Sequence, residues 1–125
     1  MSKSIIFTED APAAIGPYSQ AVATEKFLFT SGQLPVDPGG KIPEGPIEER
    51  AHLVFRNLEA IAQKAGTSLD NAVKTTLYLS DINDFQAVNT IYAEYFNEPF
   101  PARSAFQVAA LPLGADIEME AVFIL

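Results

Sequence analysis

The middle of the chain carries the clearest periodic pattern of apolar side chains. Between residues 47 and 65 they recur at spacings of three and four, which places them on one face of an α-helix. Gly66 follows at the position where a helix commonly ends. The pattern therefore predicts a helix over residues 47–65. Its apolar stripe consists of Ala51, Val54, Leu58, Ile61 and Ala65, widened by Phe55 and Ala62.

Most of the remaining apolar runs are short and bounded by turn residues, as strands are. The alternation is clearest over residues 72–79, where Val73, Thr75, Leu77 and Leu79 are expected to share one side. Glu25 and Lys26 divide two early runs, which indicates a hairpin. The predicted strands are 4–7, 20–24, 27–32, 72–79, 102–108 and 117–124.

A second helix is predicted from residue 85 to about residue 96, with Phe85, Val88, Tyr92, Tyr95 and Phe96 on its apolar face. The order of elements is then strands, helix, strand, helix, strands. Two helices of this length can cover one face of a mixed sheet. The pattern predicts a single α+β domain over residues 1–125.

The opposite face of the predicted sheet has no helix left to cover it. In the last strand, Val122 and Ile124 point away from the side on which Ile117, Met119, Ala121 and Phe123 lie. A large exposed apolar face is unusual for a soluble monomer. We therefore expect a homo-oligomer in which identical subunits pack their sheets together.

Composition and charge argue against several classes of function. The chain has a net charge of -8, which argues against nucleic-acid binding through a general electrostatic footprint. It has no cysteine and a single histidine, His52, so thiolate chemistry and a histidine-rich metal site are excluded. Neither a signal peptide nor a membrane-spanning segment is expected. We expect a soluble cytoplasmic protein.

Arg103 is a charged residue in a strand that otherwise resembles core. Its planar guanidinium would suit a bidentate clamp on a substrate carboxylate. The alternative is a structural ion pair with Glu118 or Glu120, which the residues alone favour. Either of those glutamates, two apart on one side of the last strand, could act as a general base. Two carboxylates without histidine make a weak metal site, so no metal is expected.

Other polar positions are open to two readings each. Tyr18 could cover a pocket or simply pack, and Gly32 after Ser31 could admit a ligand close to the backbone or end a strand. Asn89, on the second helix, could bind a ligand or a neighbouring subunit, or be exposed. His52 is assigned a structural or surface role.

Several motifs together resemble the RidA/YjgF family, the reactive intermediate deaminases. Residues 101–111 fit the pattern Pro-Ala-Arg-Ser-x-Phe-x-x-Ala-x-Leu, and residues 117–119 are Ile-Glu-Met. The resemblance covers almost the whole chain. Its other segments are residues 11–20, 30–36, 73–76 and 81–85.

The resemblance implies a chorismate-mutase-like homotrimer whose sheets line a central core and whose ligand sites lie between subunits. It implies hydrolysis of 2-imino acids, such as 2-iminobutyrate and 2-iminopropionate, to 2-oxo acids and ammonia without a cofactor. Arg103 would bind the substrate carboxylate and Glu118 would orient the attacking water. The remaining family positions fall on Tyr18, Ser31, Gly32, Asn89 and Ala105.

One departure from the family is visible, because many relatives carry a cysteine where this chain has Ala105. A thiol at that position is therefore not needed for activity here. Two other functions stay open behind the deaminase. They are a non-catalytic module that binds small carboxylates or acts as a chaperone, and a ribonuclease that inhibits translation. The acidic charge weighs against the ribonuclease.

Overall fold

A six-stranded mixed sheet with two helices against one face makes up the protein, and the computed structural model describes residues 2–125. The strand order across the sheet is β1-β2-β3-β6-β4-β5, in which only β4 and β5 pair in parallel. The strands are β1 (Ser4–Ile6), β2 (Ala21–Ala23), β3 (Phe27–Thr30), β4 (Ala72–Leu79), β5 (Ala102–Gln107) and β6 (Ile117–Ile124). The helices are α1 (Ile47–Lys64) and α2 (Phe85–Tyr95), and short 3-10 turns form at Leu69–Asn71, Ile82–Asp84 and Pro112–Gly114.

Every predicted helix and strand is present, and the differences are confined to their ends. The predicted strand over residues 27–32 ends at Thr30, which leaves Ser31 and Gly32 in the segment that follows β3. Gly66 has a φ of +88°, so it ends α1 in the left-handed conformation that glycine adopts without strain. The fold class, an α+β arrangement with two helices on one face of a mixed sheet, is confirmed.

One side-chain assignment in β4 was wrong. Val73 was expected on the buried side, but the register against β6 shifts between Ala72 and Lys74, so Val73 is the extra residue of a β-bulge. Ala72 is buried instead, and the expected alternation resumes at Thr75. The bulge is a property of pairing with β6, which the pattern of β4 alone does not contain.

The hydrophobic core lies between the sheet and the two helices. Alternate residues of β6 face it, as predicted, and the apolar stripe of α1 packs against them. The core-facing residues of β6 are Ile117, Met119, Ala121 and Phe123, and the fully buried residues of α1 are Ala51, Val54, Phe55, Leu58, Ile61 and Ala62.

The other face of the sheet is apolar and uncovered at one end. A row of paired residues crosses four strands there, from Ile5 through Val22 and Phe29 to Val122. Ile5, Phe29 and the adjacent Ile124 are each about half exposed. The apolar second face expected from β6 is therefore present. Within residues 2–125, no helix has the length and apolarity to cross a membrane.

An ion pair fixes the start of β6 to the chain around α1. Nε and Nη2 of Arg50 donate to the two carboxylate oxygens of Asp116 at 2.9 and 2.7 Å. Nη1 of the same arginine donates to the carbonyls of Pro43 and Gly45. This bidentate contact holds the strand two residues before Glu118.

Candidate active site

Arg103 lies on the helix side of the sheet, under α2. It pairs in register with Thr75, which is fully buried on that side. Its Nη1 donates to Oδ1 of Asn89 at 2.7 Å. The guanidinium carbon is 4.6 Å from the centroid of the Tyr92 ring and 5.1 Å from that of Phe85. Helical spacing brings these three residues of α2 to one face, where they hold the guanidinium by a hydrogen bond and two cation-π contacts.

The ion pair proposed between Arg103 and Glu118 or Glu120 does not form within the protomer. The salt bridge found among residues 2–125 is that of Arg50 with Asp116. Alternation along a strand explains the result. Arg103 pairs with Thr75 and Glu118 pairs with Tyr78, and residues three apart on one strand point to opposite faces of the sheet. Arg103 and Glu118 therefore lie on opposite faces of the same protomer.

The Glu118 carboxylate packs against the backbone of Gly32. A Cβ atom added to Gly32 would lie 2.8 Å from Cδ of Glu118 and 3.1 Å from its Cγ, and would overlap a carboxylate oxygen. A side chain at position 32 would therefore force the carboxyl group of Glu118 to move away. The absence of a side chain at Gly32 therefore lets the carboxylate of Glu118 lie close to the main chain.

Hydrogen bonds from two sides fix the segment that carries Gly32. Gln33 and Met119 exchange backbone hydrogen bonds of 2.8 and 3.2 Å, which bring the segment alongside β6. The buried amide of Asn57, on α1, donates to the carbonyls of Leu34 and Val36. Asn57 was not singled out in the sequence, because most polar residues on helices face solvent.

Ser31 connects the same segment to the loop that contains Tyr18. Its hydroxyl donates to the carbonyl of Ser19 at 2.6 Å, and its backbone N–H donates to the carbonyl of Gln20. Tyr18 is 53% exposed, and its hydroxyl accepts a 3.4 Å hydrogen bond from the N–H of Ile15. The Tyr18 loop therefore lies beside the segment that supports Glu118.

Burial and like charge perturb the pKa values on the outer face of the sheet. Partial burial raises the pKa of Glu118, and the neighbouring carboxylate of Glu120 raises it further. Burial and the carboxylate of Glu120 also raise the pKa of Tyr78, the residue paired with Glu118. A glutamate with a raised pKa is a better proton acceptor for general base catalysis than an ordinary one. Among residues 2–125 no cluster of three metal-ligating side chains is found.

Two groups of the predicted residues are thus assembled separately. The first consists of Arg103 and Asn89, with Ala105 on the same side of β5 in register with the core residue Leu77. The second consists of Glu118 and Gly32, with Ser31 and the Tyr18 loop beside them. The first group offers a cation held for an anionic ligand, and the second a carboxylate able to accept a proton.

Comparison with known proteins places this arrangement in a family. Residues 8–125 match the sequence model of the family described as Endoribonuclease L-PSP. The solved structure of YyfA from Yersinia pestis, a protein of the conserved Rid family, superimposes with a TM-score of 0.96 at 45% identity, covering 99% of this chain and 100% of that one. The chain belongs to the RidA/YjgF family.

Two further proteins are similar to this chain over nearly their whole length. A human protein named 2-iminobutanoate/2-iminopropanoate deaminase is 50% identical over 123 residues, which cover 98% of this chain and 90% of the human one. The structure of E. coli TdcF with bound serine has a TM-score of 0.92 at 39% identity, covering 98% of each chain. The membership predicted from the arginine and glutamate motifs is confirmed.

Residues that hold Arg103 were missed at the level of sequence. Tyr92 and Phe85 were assigned to the apolar face of the second helix, and Tyr92 is indeed 5% exposed and part of the core. The available signal was their spacing, since Phe85, Asn89 and Tyr92 fall at positions i, i+4 and i+7. An asparagine between two aromatic residues on one helical face is consistent with a site for a cation.

Proposed function

We propose that this protein is a hydrolytic deaminase that converts 2-imino acids, such as 2-iminobutyrate and 2-iminopropionate, to 2-oxo acids and ammonia. The observations that carry the proposal are a preorganised arginine on one face of the sheet and a partly buried glutamate of raised pKa on the other. The 50% identity to the human protein named as a deaminase of these two compounds supports the substrate class. Arg103 and Glu118 have the central roles.

Arg103 would clamp the substrate carboxylate. A 2-imino acid places its carboxylate next to the C=N carbon, so a bidentate contact to the carboxylate fixes the carbon that reacts. The contacts with Asn89, Tyr92 and Phe85 reduce the side-chain entropy that Arg103 loses when the substrate binds. Backbone N–H groups of Gly32 and Ala105 would complete the clamp, and Tyr18 would close over it.

Glu118 would orient a water molecule and accept its proton. The water oxygen forms a bond to the imine carbon as the C=N π electrons move to nitrogen, which gives a carbinolamine. The proton on Glu118 then passes to that nitrogen. As the C–N bond breaks and ammonia leaves, the C=O bond forms and Glu118 accepts the proton of the carbinolamine hydroxyl, which it afterwards releases to solvent. The substrate is protonated near neutral pH and is already an electrophile, so the reaction needs neither metal nor organic cofactor.

The active site would be completed by a second subunit. Arg103 and Glu118 lie on opposite faces of one protomer, and β5, which carries the arginine, is one of the two edge strands of the sheet. A second copy that packs on the apolar face would supply the missing residue. The proposed assembly is a homotrimer of the chorismate-mutase-like kind, with three equivalent clefts between subunits.

The first test is hydrolysis of 2-iminobutyrate generated in situ by a threonine dehydratase. Arg103→Ala should lower kcat/KM by about 100-fold, or about 2.7 kcal/mol, because the carboxylate loses its cationic partner. Arg56→Ala, which removes an exposed arginine of α1, is the matched control and should keep full activity. A folded Arg103→Ala variant with wild-type kcat/KM would show that the clamp role is wrong.

The second test asks whether two subunits share each active site. Arg103→Ala and Glu118→Gln homo-oligomers should each lose about 100-fold in activity, but mixed oligomers contain clefts in which both wild-type residues meet. With random mixing in a closed ring, about one quarter of the clefts would be restored. Co-expression or joint refolding should therefore recover about a quarter of the wild-type activity. If mass measurement shows that the oligomers are mixed and activity is still not recovered, each active site takes both residues from the same subunit.

Glu118→Gln also separates the deaminase from a non-catalytic carboxylate binder. The loss of a general base should lower kcat by about 100-fold or more, whereas a binder should keep its affinity and have no turnover to lose. The family description names an endoribonuclease, so RNA degradation by the wild type and Arg103→Ala should be measured in parallel. The net charge of -8 predicts no degradation above background by either protein.

A further inference from the structure

Arg103 sits on a ring that is itself held in place. The hydroxyl of Tyr92 is 2.9 Å from Oγ1 of Thr75, and both residues are buried. Thr75 is the residue of β4 that pairs with Arg103 on β5. The hydrogen bond therefore ties the ring of Tyr92 to the same row of the sheet from which the arginine projects.

Packing fixes the remaining freedom of the Tyr92 ring. It stacks on Phe96 with centroids 4.3 Å apart and an interplanar angle of 21°, and it meets the edge of Phe55 at 5.7 Å and 84°. Phe55 and Phe96 are both fully buried. A ring held by two aromatic neighbours and a buried hydrogen bond has little freedom to rotate, so the guanidinium that rests on it is held as well.

We propose that Tyr92, anchored by Thr75, is a positioning residue that sets the orientation of the carboxylate-binding Arg103. The functional meaning of the assignment rests on the proposed clamp role of Arg103. Tyr92 would not touch the substrate. It would act through the arginine, by keeping the planar guanidinium in one orientation before the ligand arrives.

This role makes a kinetic prediction that a packing role does not. Binding of the carboxylate by Arg103 contributes to the ground state and the transition state alike, so a loosened arginine should raise KM and leave kcat nearly unchanged. A change that only loosens the core would lower the melting temperature without selective loss of carboxylate affinity.

The main variant is Tyr92→Leu, which removes the ring and its hydroxyl. We expect the Kd for 2-oxobutyrate, a stable small carboxylate, and the KM for 2-iminobutyrate to rise about 5- to 10-fold, as loss of a partly buried cation-π contact predicts. The value of kcat should change by less than about 3-fold. Tyr92→Phe keeps the ring and should restore most of the affinity.

Tyr95 offers a matched control on the same helix. Its hydroxyl makes a 2.7 Å hydrogen bond to Nδ1 of His52, and its ring packs on Phe55 at 5.4 Å. It is not among the residues whose rings lie against Arg103. Tyr95→Leu should reduce stability and leave the Kd for 2-oxobutyrate unchanged. An equal rise of Kd in the Tyr95→Leu and Tyr92→Leu proteins would overturn the proposal.

A readout independent of catalysis completes the test. The chain has three arginines, so the side-chain Nε–H signal of Arg103 can be assigned by NMR against Arg50 and Arg56. In Tyr92→Leu this signal should shift and exchange faster with solvent. An unchanged signal with unchanged Kd would refute the positioning role, whereas absent imine hydrolysis in the wild type would refute only the proposed function.

The hydrogen bond to Thr75 is tested by smaller changes. Tyr92→Phe and Thr75→Val each remove it, and each should raise the Kd for 2-oxobutyrate by about 2- to 3-fold, with no further rise in the double variant. These variants keep the test decisive if Tyr92→Leu fails to fold. Wild-type Kd in both single variants would show that the ring is placed without Thr75.

Discussion

Replacing Gly32 with alanine tests the contact on which the placement of Glu118 depends. The added Cβ would lie 2.8 Å from Cδ of Glu118, whereas carbon atoms in contact are separated by about 3.5–4.0 Å. The carboxyl group must therefore retreat by about 1 Å. Since it is the end of a flexible side chain, the backbone need not move, and the cost in stability should be about 1 kcal/mol.

The effect on turnover should be much larger than the effect on stability. A displacement of about 1 Å in a catalytic group lowers the rate by about 100-fold, which corresponds to about 2.7 kcal/mol. The assay is kcat/KM for 2-iminobutyrate, together with thermal unfolding. Gly39→Ala is the control, because it makes the same change in an exposed turn where the nearest neighbour is an Asp37 oxygen at 3.3 Å.

A double variant shows whether the loss passes through Glu118. If Gly32→Ala acts by displacing the carboxylate, then combining it with Glu118→Gln should cost no more activity than Glu118→Gln alone. Fully additive losses would mean that the methyl group excludes substrate instead. Wild-type kcat/KM in a folded Gly32→Ala protein would refute the role of the Glu118 placement altogether.

Three further predictions concern stability and assembly. Burial raises the pKa of Glu118 above its ordinary value of 4.5, so folding favours the protonated form of this carboxyl. The free energy of unfolding therefore falls as the pH rises from the ordinary pKa of the unfolded chain through the raised pKa of the folded protein. Glu118→Gln should therefore melt at a higher temperature than wild type near pH 7 but not below about pH 4, and equal melting curves at both pH values would contradict this. Asp116→Asn should lower the free energy of unfolding by about 1.5–3 kcal/mol in urea titrations, because Arg50 loses its bidentate partner; a change below about 0.5 kcal/mol would show that the pair is dispensable. Phe29→Asp puts a charge on the apolar sheet face and should give a smaller species in analytical ultracentrifugation, unlike Ile82→Asp at an exposed site outside the sheet; unchanged sedimentation would place the interface elsewhere.

The sequence indicated the main residues of the candidate site, but not the residues that hold them in place. Arg103 and Glu118 stand out because charges are rare in strands that otherwise resemble core. Helical spacing correctly assigned Tyr92 to the core. It could not show that Arg103 lies over the Tyr92 ring or that Thr75 forms a hydrogen bond with the Tyr92 hydroxyl. Asn57 gave no signal at all, since its partners are backbone carbonyls of a distant segment.

The sequence by itself determined the helices and strands, because these depend on side-chain periodicity and turn residues that are local. It also determined the membership in the RidA/YjgF family. Only the tertiary structure decided that Arg103 faces α2 while Glu118 faces the opposite side of the sheet. Alternation tells which side chains of one strand share a face. Which face of the sheet those side chains occupy depends on the register between strands, which is a long-range property. The pairing of β4 with β6 created the bulge at Val73, and the bridge between Gln33 and Met119 brought Gly32 against Glu118.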